Sequence, residues 1–152
     1  MVELASDMMP DRVLQLTRYY PHPRERVFAA WTQPEQLVKW WGPESVHIAH
    51  WKFDVRVNGS WETTMRNQDG SEFFVSGKYL ELTPPSRLAF SWAWTNDGER
   101  GHETTVTVEF NKKNNGTELT LTQELFETND ARDLHNEGWS SSLDCLAEHL
   151  RE

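Results

Sequence analysis

The spacing of hydrophobic residues changes along the chain and predicts short elements near its start. Residues 13–20 show the alternation typical of a β-strand, and the sequence Pro21-His22-Pro23 ends that strand. Residues 24–32 and 35–41 repeat hydrophobic positions at helical spacing, and a proline precedes each of them, where its missing N–H costs nothing. The beginning of the chain therefore predicts one strand followed by two short helices.

From residue 46 onward, strand-like segments alternate with turn signals. The predicted strands cover residues 46–55, 60–66, 72–82, 87–94, 104–110 and 117–126. The turns between them contain Asn58-Gly59, Gln68-Asp69-Gly70, Pro84-Pro85, a polar loop over residues 95–102, and Asn114-Asn115-Gly116. Turns at intervals of about ten residues are typical of a meandering antiparallel sheet.

The last two predicted strands show the clearest alternation of hydrophobic and polar positions. The hydrophobic residues predicted to face one side of the sheet are Val106, Val108, Phe110, Leu119, Leu121 and Leu125. Threonine and glutamate occupy most positions between them. We therefore expect one face of the sheet to be covered and the other to meet water.

Residues 129–150 again have helical spacing and predict the element that covers the sheet. The predicted apolar face contains Ala131, Leu134, Trp139, Leu143, Leu146 and Leu150. With a rise of about 1.5 Å per residue, such a helix is about 30 Å long and crosses a whole sheet. The order of elements predicts an α+β fold, with a curved antiparallel sheet of about seven strands around this long C-terminal helix. We assign residues 13–152 to this single domain and residues 1–12 to a flexible N-terminal segment.

The composition supports a folded chain because of its aromatic residues. Hydrophobic residues make up only 37% of the chain and the mean hydropathy is -0.74, which alone would favour disorder. However, the chain has 8 Trp, 7 Phe and 3 Tyr. Each buried aromatic ring removes roughly 150 to 250 Å² from water, so these few residues supply a large driving force for folding.

Charge and cysteine content narrow the classes of function. The formal net charge is -9, and most of the excess acid lies in residues 117–152, which would repel nucleic acid. Because Cys145 is alone, neither an internal disulfide nor a cysteine-based zinc site is expected. The start of the chain lacks the pattern of a signal peptide, and no apolar stretch is long enough to span a membrane. We expect a cytoplasmic protein without a cofactor or metal.

Several segments, in the same order along the chain, resemble the family named after the activator of the heat-shock protein 90 ATPase. They are residues 20–35, Lys39-Trp40-Trp41-Gly42-Pro43, Asp54-Val55-Arg56-Val57-Asn58-Gly59, Asp69-Gly70, Gly77-Lys78-Tyr79, Pro84-Pro85-Ser86-Arg87-Leu88, and Gly138-Trp139 with Leu143. The chain departs from the family at Asn58, where a second glycine is more common. Asparagine tolerates positive φ well, so we expect the turn to be kept. The resemblance implies the START-like fold, also called SRPBCC or helix-grip, which the birch pollen allergen shares.

Three functions are compatible with the resemblance. The first is binding of a small hydrophobic or aromatic molecule between the sheet and the C-terminal helix. The second is a co-chaperone-like interaction that stimulates a heat-shock protein 90 ATPase, although we expect the chain to lack the additional amino-terminal domain of the eukaryotic activator. The third is a polyketide cyclase or aromatase-like reaction. Fold alone does not choose among them.

Alternation and helical spacing select the residues that would line such a cavity. The predicted ligand-binding residues are Trp61, Met65, Val75, Tyr79, Phe90 and Trp92 on the sheet, Trp139 and Leu143 on the long helix, and Trp40 and Trp41 at the mouth. The alternative interpretation is that these rings simply fill the core.

Two polar pairs are further candidate sites on the predicted sheet. Asp54 and Arg56 stand two apart on one strand face and would hold a polar group, although such a pair is more often a structural ion pair. His47 and His50 should point to opposite faces of their strand, which disfavours metal binding unless a bulge intervenes. His102-Glu103 lacks a third ligand nearby in sequence.

The long helix contains two further candidate groups. Ser141, Cys145 and His149 lie four residues apart and superficially indicate a thiol beside a base, but nearby acids should keep the thiol protonated. His135 and Glu137 lie just before Gly138 on the same helix, and the carboxylate would act as a general base if it faced the cavity. Solvated positions are the more common outcome for both.

Overall fold

The computed structural model of the protein describes residues 11–152, and its elements follow the predicted order. Residues 1–10 of the predicted N-terminal segment lie outside the described residues. The elements are β1 (Leu14–Tyr20), α1 (Arg24–Thr32), α2 (Pro34–Trp40), β2 (His47–Phe53), β3 (Ser60–Arg66), β4 (Glu72–Thr83), β5 (Arg87–Asn96), β6 (Glu99–Arg100), β7 (Thr104–Lys113), β8 (Gly116–Glu124) and α3 (Asn129–Leu150). The predicted α+β helix-grip fold is confirmed.

The strands form one 8-stranded antiparallel sheet in the order β1-β8-β7-β5-β4-β3-β2. The eighth strand is β6, a two-residue strand that pairs with β5 inside the predicted polar loop over residues 95–102. Strands β1 and β2 are the two edges of the sheet. In the described part of the chain, no helix combines the length and apolarity needed to cross a membrane.

Polar contacts cap helix α3 at its start and attach it to β1 and to α1 further along. At its start, the Thr128 side chain accepts a hydrogen bond from the backbone N–H of Ala131. In the middle, the hydroxyl of Tyr20 on β1 donates to the carbonyl of Leu143 at 2.9 Å. At its end, the Arg26 guanidinium on α1 donates to the carbonyls of His149, Leu150 and Glu152. The helix is therefore fixed relative to both the sheet and the short helices.

Two hydrophobic residues predicted to be buried are exposed. Leu125 is 61% exposed because β8 ends at Glu124 and Leu125 adopts a φ of 73°, which turns the chain away from the sheet. Gln123 takes the last buried position on that strand instead. Leu134 is 69% exposed, because its helical position lies beside a gap between α3 and the sheet. The other predicted hydrophobic positions of β7 and β8 are buried.

Candidate functional site

An open cavity of about 460 Å³ separates part of α3 from the sheet. Its walls come from the loop after α2, from strands β3, β4 and β5, and from one face of α3. The lining residues are Trp41, Gly42, Pro43, Ser45, Val46, Met65, Asn67, Phe73, Phe74, Trp92, Trp94, Asn96, Leu134, His135, Gly138, Trp139 and Ser142. Most of these side chains are apolar, and the larger ones are aromatic.

Small residues on α3 keep the cavity open. Gly138 and Ser142 lie one turn apart on the cavity face of the helix. A Cβ atom placed on Gly138 would meet nothing closer than the Pro43 Cγ at 3.9 Å. Gly138 is therefore not needed for close packing of α3 on the sheet. Its missing side chain instead leaves space in the cavity.

Trp41 occupies the centre of the inner wall. Its ring lies 5.9 Å from that of Trp92 on β5 and 5.8 Å from that of Trp139 on α3, measured between ring centroids. The rings of Trp92 and Trp139 are 5.3 Å apart, which closes a triangle of indoles. Edge-to-face and tilted contacts of this kind add to the stability gained from burial. The inner end of the cavity is a rigid aromatic surface.

A chain of buried hydrogen bonds fixes this surface from behind. The indole N–H of Trp139 donates to Gln123 Oε1 at 2.8 Å, and Gln123 Nε2 donates to the Thr104 hydroxyl at 2.8 Å. The Thr104 hydroxyl in turn donates to the carbonyl of Trp92 at 3.2 Å. Because buried polar groups are costly when unpaired, this chain fixes the orientation of Trp139 relative to β5.

His135 is held in the cavity wall in one tautomer. Its Nδ1 lies 2.7 Å from the carbonyl oxygen of Ala131, which only accepts, so Nδ1 carries the proton. Its Nε2 accepts from the indole N–H of Trp94 at 2.9 Å and from that of Trp92 at 3.3 Å. Burial lowers the pKa of His135, in agreement with a neutral ring. Its one basic nitrogen is thus already occupied by two donors.

Exposed side chains surround the mouth of the cavity. Phe73 at the start of β4 is 46% exposed and lies edge-on to Trp94 at 6.1 Å, while Leu134 projects from α3 on the other side. Ser45 and Asn96 complete the mouth with exposed polar groups. Among the described residues that line the cavity, none is Lys, Arg, Asp or Glu. The cavity is therefore uncharged and apolar inside, and its rim combines apolar and polar side chains.

The predicted ligand-binding residues all lie in the core, but they separate into three groups. Trp41, Met65, Trp92 and Trp139 line the open cavity. Trp61, Tyr79 and Phe90, together with Trp41, surround a second gap of about 10 Å³, which is room for one water molecule. Trp40, Val75 and Leu143 line neither space.

The prediction that Trp40 and Trp41 stand at the mouth is wrong. Trp40 is 2% exposed, packs against Trp31 at 4.6 Å, and donates its indole N–H to the carbonyl of Ala30. Trp41 is 6% exposed and donates to the Thr63 hydroxyl at 3.3 Å. Helix α2 ends at Trp40, so Trp41 leaves the helix with extended backbone and both indoles reach the core.

The polar pairs predicted on the sheet lie outside the cavity, and Asp54 and Arg56 lie in the turn after β2, which ends at Phe53. Asp54 and Arg56 form an exposed ion pair of 2.9 Å, which is the structural alternative considered for them. A bulge does occur between Ile48 and His50, and His50 pairs with Glu62 at 3.0 Å. Within residues 11–152, no three His, Cys, Asp or Glu side chains come together in a way that would hold a metal ion.

His102, Glu103 and the candidate groups on α3 are likewise engaged elsewhere. His102 contacts the carbonyl of Leu125, and Glu103 pairs with Arg100 at 2.8 Å. Burial, together with Glu44, Asp144 and Glu148, raises the pKa of the Cys145 thiol, which disfavours the reactive thiolate.

Ser141, His149 and Glu137 on α3 do not form the predicted groups either. The His149 Nε2 lies 3.0 Å from Gln36 Oε1, and the Ser141 hydroxyl accepts from the backbone N–H of Glu44. Glu137 is exposed to solvent, so only His135 of that pair reaches the cavity.

Several lining residues were missed by sequence reasoning although a signal for them existed. Trp94 shares the parity of Phe90 and Trp92 on β5, and Phe73 shares that of Val75 on β4. Extending each alternation by one step towards the cavity end of the strand would have found them. Gln123, behind the cavity wall, shares the parity of Leu119 and Leu121 on β8, so alternation placed it on the covered face, but its partners could not be identified from the sequence.

Comparisons with known proteins agree on one family. The model of the family described as Activator of Hsp90 ATPase homolog 1-like protein matches residues 21–151. The AHSA1 protein of Silicibacter pomeroyi is 31% identical, with a TM-score of 0.83 over 91% of this chain and 97% of that one. A protein of Nitrosomonas europaea is 30% identical, with a TM-score of 0.78 over 91% of this chain and 94% of that one.

A third solved structure, from Chromobacterium violaceum, is 29% identical, with a TM-score of 0.79 over 90% of this chain and 95% of that one. No curated protein matches the chain. Both the fold and the family model cover nearly all of the described residues. The chain belongs to the family of activator of Hsp90 ATPase homolog 1-like proteins.

Proposed function

We propose that the protein binds a small, flat and largely apolar molecule in the open cavity between α3 and strands β3 to β5. The observation that carries this proposal is the 460 Å³ cavity with an inner wall of Trp41, Trp92 and Trp139. Binding sites for small organic molecules are usually clefts of roughly 300 to 1,000 Å³ with predominantly hydrophobic and aromatic walls. A planar ligand would stack on these indoles and exclude water from them.

The rigid inner wall supports binding rather than packing alone. Trp139 is held by Gln123, and Trp92 and Trp94 are both held by His135, so these rings keep their positions when the cavity is empty. A site that is already formed costs little conformational entropy on binding. The free energy gained from burying an apolar ligand is therefore available for affinity.

Binding without chemical conversion is the form of the proposal that the geometry favours. The lone pair of His135 already accepts two indole donors, which leaves it unsuited to take a proton from a substrate. Glu137 points to solvent instead of the cavity. Sequestration or transport of a ligand requires neither group, whereas a cyclase or aromatase reaction would require an acid or base.

The test is titration with N-phenyl-1-naphthylamine, a neutral probe whose emission rises in apolar surroundings. Gly138→Leu fills the cavity from a position where a helix former is otherwise favourable, and it should weaken probe binding at least about tenfold. Asp144→Leu adds the same side chain at an exposed position of α3 and should bind like the wild type. Absence of binding to the wild type, or equal affinity of Gly138→Leu, would overturn the proposal.

The family description supports a second candidate function, stimulation of a heat-shock protein 90 ATPase. Such stimulation requires a protein surface rather than the cavity. ATP turnover by the chaperone, measured with increasing amounts of this protein, tests it directly. Stimulation that survives in Gly138→Leu would separate this activity from ligand binding.

A further inference from the structure

We propose that the ligand carries a neutral hydrogen-bond acceptor, such as a ketone oxygen, and that the indole N–H of Trp92 donates to it. This inference rests on the proposed function, because it names the chemical class that the same cavity selects. The contact of His135 with Trp92 and Trp94 carries it, since all three residues line the cavity.

At His135 Nε2, two hydrogen-bond donors share one acceptor lone pair. The Ala131 carbonyl fixes the proton on Nδ1, so Nε2 has a single lone pair in the plane of the ring. Two indole N–H groups are directed at this lone pair, from Trp94 at 2.9 Å and from Trp92 at 3.3 Å. The Trp94 bond is the shorter of the two and takes the larger share of the lone pair, whereas the Trp92 bond lies at the long end of the usual range.

The N–H of Trp92 is therefore the donor that gains most from a second acceptor. In an apolar wall, an indole N–H that shares its acceptor with a second donor gains less free energy than it would from a hydrogen bond of its own. An oxygen atom of the ligand beside His135 would accept from Trp92 and leave Trp94 on Nε2. Because the ring fixes the direction of its N–H, Trp92 would reach this oxygen by sharing its hydrogen between the two acceptors or by a small tilt of the indole.

The electrostatics of the cavity exclude an anionic acceptor. None of the described lining residues carries a positive charge, and the chain as a whole has a net charge of -9. His135 does not supply the charge, because protonation of Nε2 would direct a third hydrogen at the two indole N–H groups. A carboxylate would lose its water without gaining a cation, which is a large penalty. The acceptor is accordingly neutral.

Matched probes test this selectivity on the wild-type protein. They are 2-acetylnaphthalene, which has a ketone, 2-isopropenylnaphthalene, a hydrocarbon in which a CH₂ group replaces the ketone oxygen, and 2-naphthoate, which is an anion. We expect the ketone to bind about three- to tenfold more tightly than the hydrocarbon, and the anion at least about a hundredfold more weakly than the ketone. A hydrocarbon that binds as tightly as the ketone would overturn the inference while the proposed function stands. If no neutral probe binds, the proposed function itself is wrong.

Variants identify the donor. Trp92→Phe keeps an aromatic ring but removes the N–H, and it should reverse the order so that the hydrocarbon binds more tightly than the ketone. Trp61→Phe is the matched control, because its indole N–H donates to the Ser91 carbonyl outside the cavity, and it should keep the wild-type ratio. Ser142 offers the competing donor, a hydroxyl in the same cavity. Reversal of the ratio in Ser142→Ala but not in Trp92→Phe would contradict the assignment to Trp92.

A spectroscopic measurement on the wild type does not depend on the folding of any variant. The indole ¹H–¹⁵N resonances report each tryptophan N–H separately. The ketone should move the Trp92 resonance towards a stronger hydrogen bond, whereas the hydrocarbon should affect it only through ring proximity. The Trp61 resonance should respond alike to both probes. Equal displacement of the Trp92 resonance by both probes would contradict the proposed hydrogen bond.

Discussion

The indole N–H of Trp139 donates to the side-chain oxygen of Gln123 across the interior of the protein, at 2.8 Å. Gln123 is completely buried on β8, and Trp139 is almost completely buried on α3. This bond joins the helix to the sheet at the inner end of the cavity. A buried glutamine thus sets the orientation of an indole that forms part of the cavity wall.

Gln123→Met should destabilise the protein by about 2 to 4 kcal/mol, although methionine has nearly the same length. The change leaves the Trp139 N–H without an acceptor in the core and removes the donor to the Thr104 hydroxyl, which keeps only its bond to the Trp92 carbonyl. Urea unfolding measures the loss. Gln15→Met, at an exposed position of β1, should stay within about 0.5 kcal/mol of the wild type. A midpoint for Gln123→Met equal to that of Gln15→Met would refute the role of this bond.

Trp139→Ala should cost about 3 to 5 kcal/mol, because it removes a buried indole that stacks on Trp31 at 6.0 Å. Cys145→Ser on the same helix should cost little, since that side chain is only partly buried. Comparable urea midpoints for Trp139→Ala and Cys145→Ser would show that α3 is not anchored through this indole.

Gly77→Ala should destabilise the protein by more than about 4 kcal/mol. A Cβ atom on Gly77 would lie 1.8 Å from the Ser91 carbonyl oxygen on the paired strand, so β4 and β5 would have to separate. Gly101→Ala is the matched control, because its nearest neighbour, the Trp94 oxygen, is at 3.4 Å. Thermal unfolding of the two variants compares them. Equal melting temperatures would mean that the strands adapt easily at Gly77.

The free energy of unfolding should fall as the pH is lowered below about 6.5, the pKa of a histidine in an unfolded chain. Burial lowers the pKa of His135 in the folded state, so the unfolded chain binds more protons between that value and about 6.5. Stability is therefore complete above this window and is lost as the pH falls through it. His149 adds to the same slope, because burial and Arg26 lower its pKa.

Urea midpoints measured from about pH 7.5 to about pH 5.5 test this dependence. His135→Gln should flatten the profile relative to the wild type. Leu134→Gln changes the neighbouring residue without removing a titratable group, and it should keep the wild-type slope. Parallel profiles for His135→Gln and the wild type would contradict a neutral, buried His135.

The sequence was sufficient to predict the elements wherever local chemistry sets their ends. Helix α1 begins after Pro23, and helix α3 begins after the Thr128 cap, so both occur at the predicted residues. The turn at Asn58 keeps a positive φ of 70°, as expected from asparagine's tolerance of that region. These features depend on neighbours in sequence.

Orientation at the ends of elements was not predictable in the same way. Helical spacing placed Leu134 on the apolar face, but whether that face meets the sheet there depends on the distant residues that leave the gap open. The predicted short helix included both Trp40 and Trp41, whereas the helix ends between them and both rings turn inward. Whether aromatic rings fill a core or surround a cavity depends on how the elements pack together, which alternation alone does not describe.

The triangle formed by Trp41, Trp92 and Trp139 limits how this cavity could change during evolution or protein engineering. Each ring contacts the other two, so replacing one of them disturbs the packing of both neighbours. Phe73 and Leu134 at the mouth are exposed and have no such constraint. Relatives that prefer longer or shorter ligands are therefore expected to differ at these two rim positions while they retain a bulky aromatic floor. A library restricted to the rim would vary the permitted length of a ligand with little loss of stability.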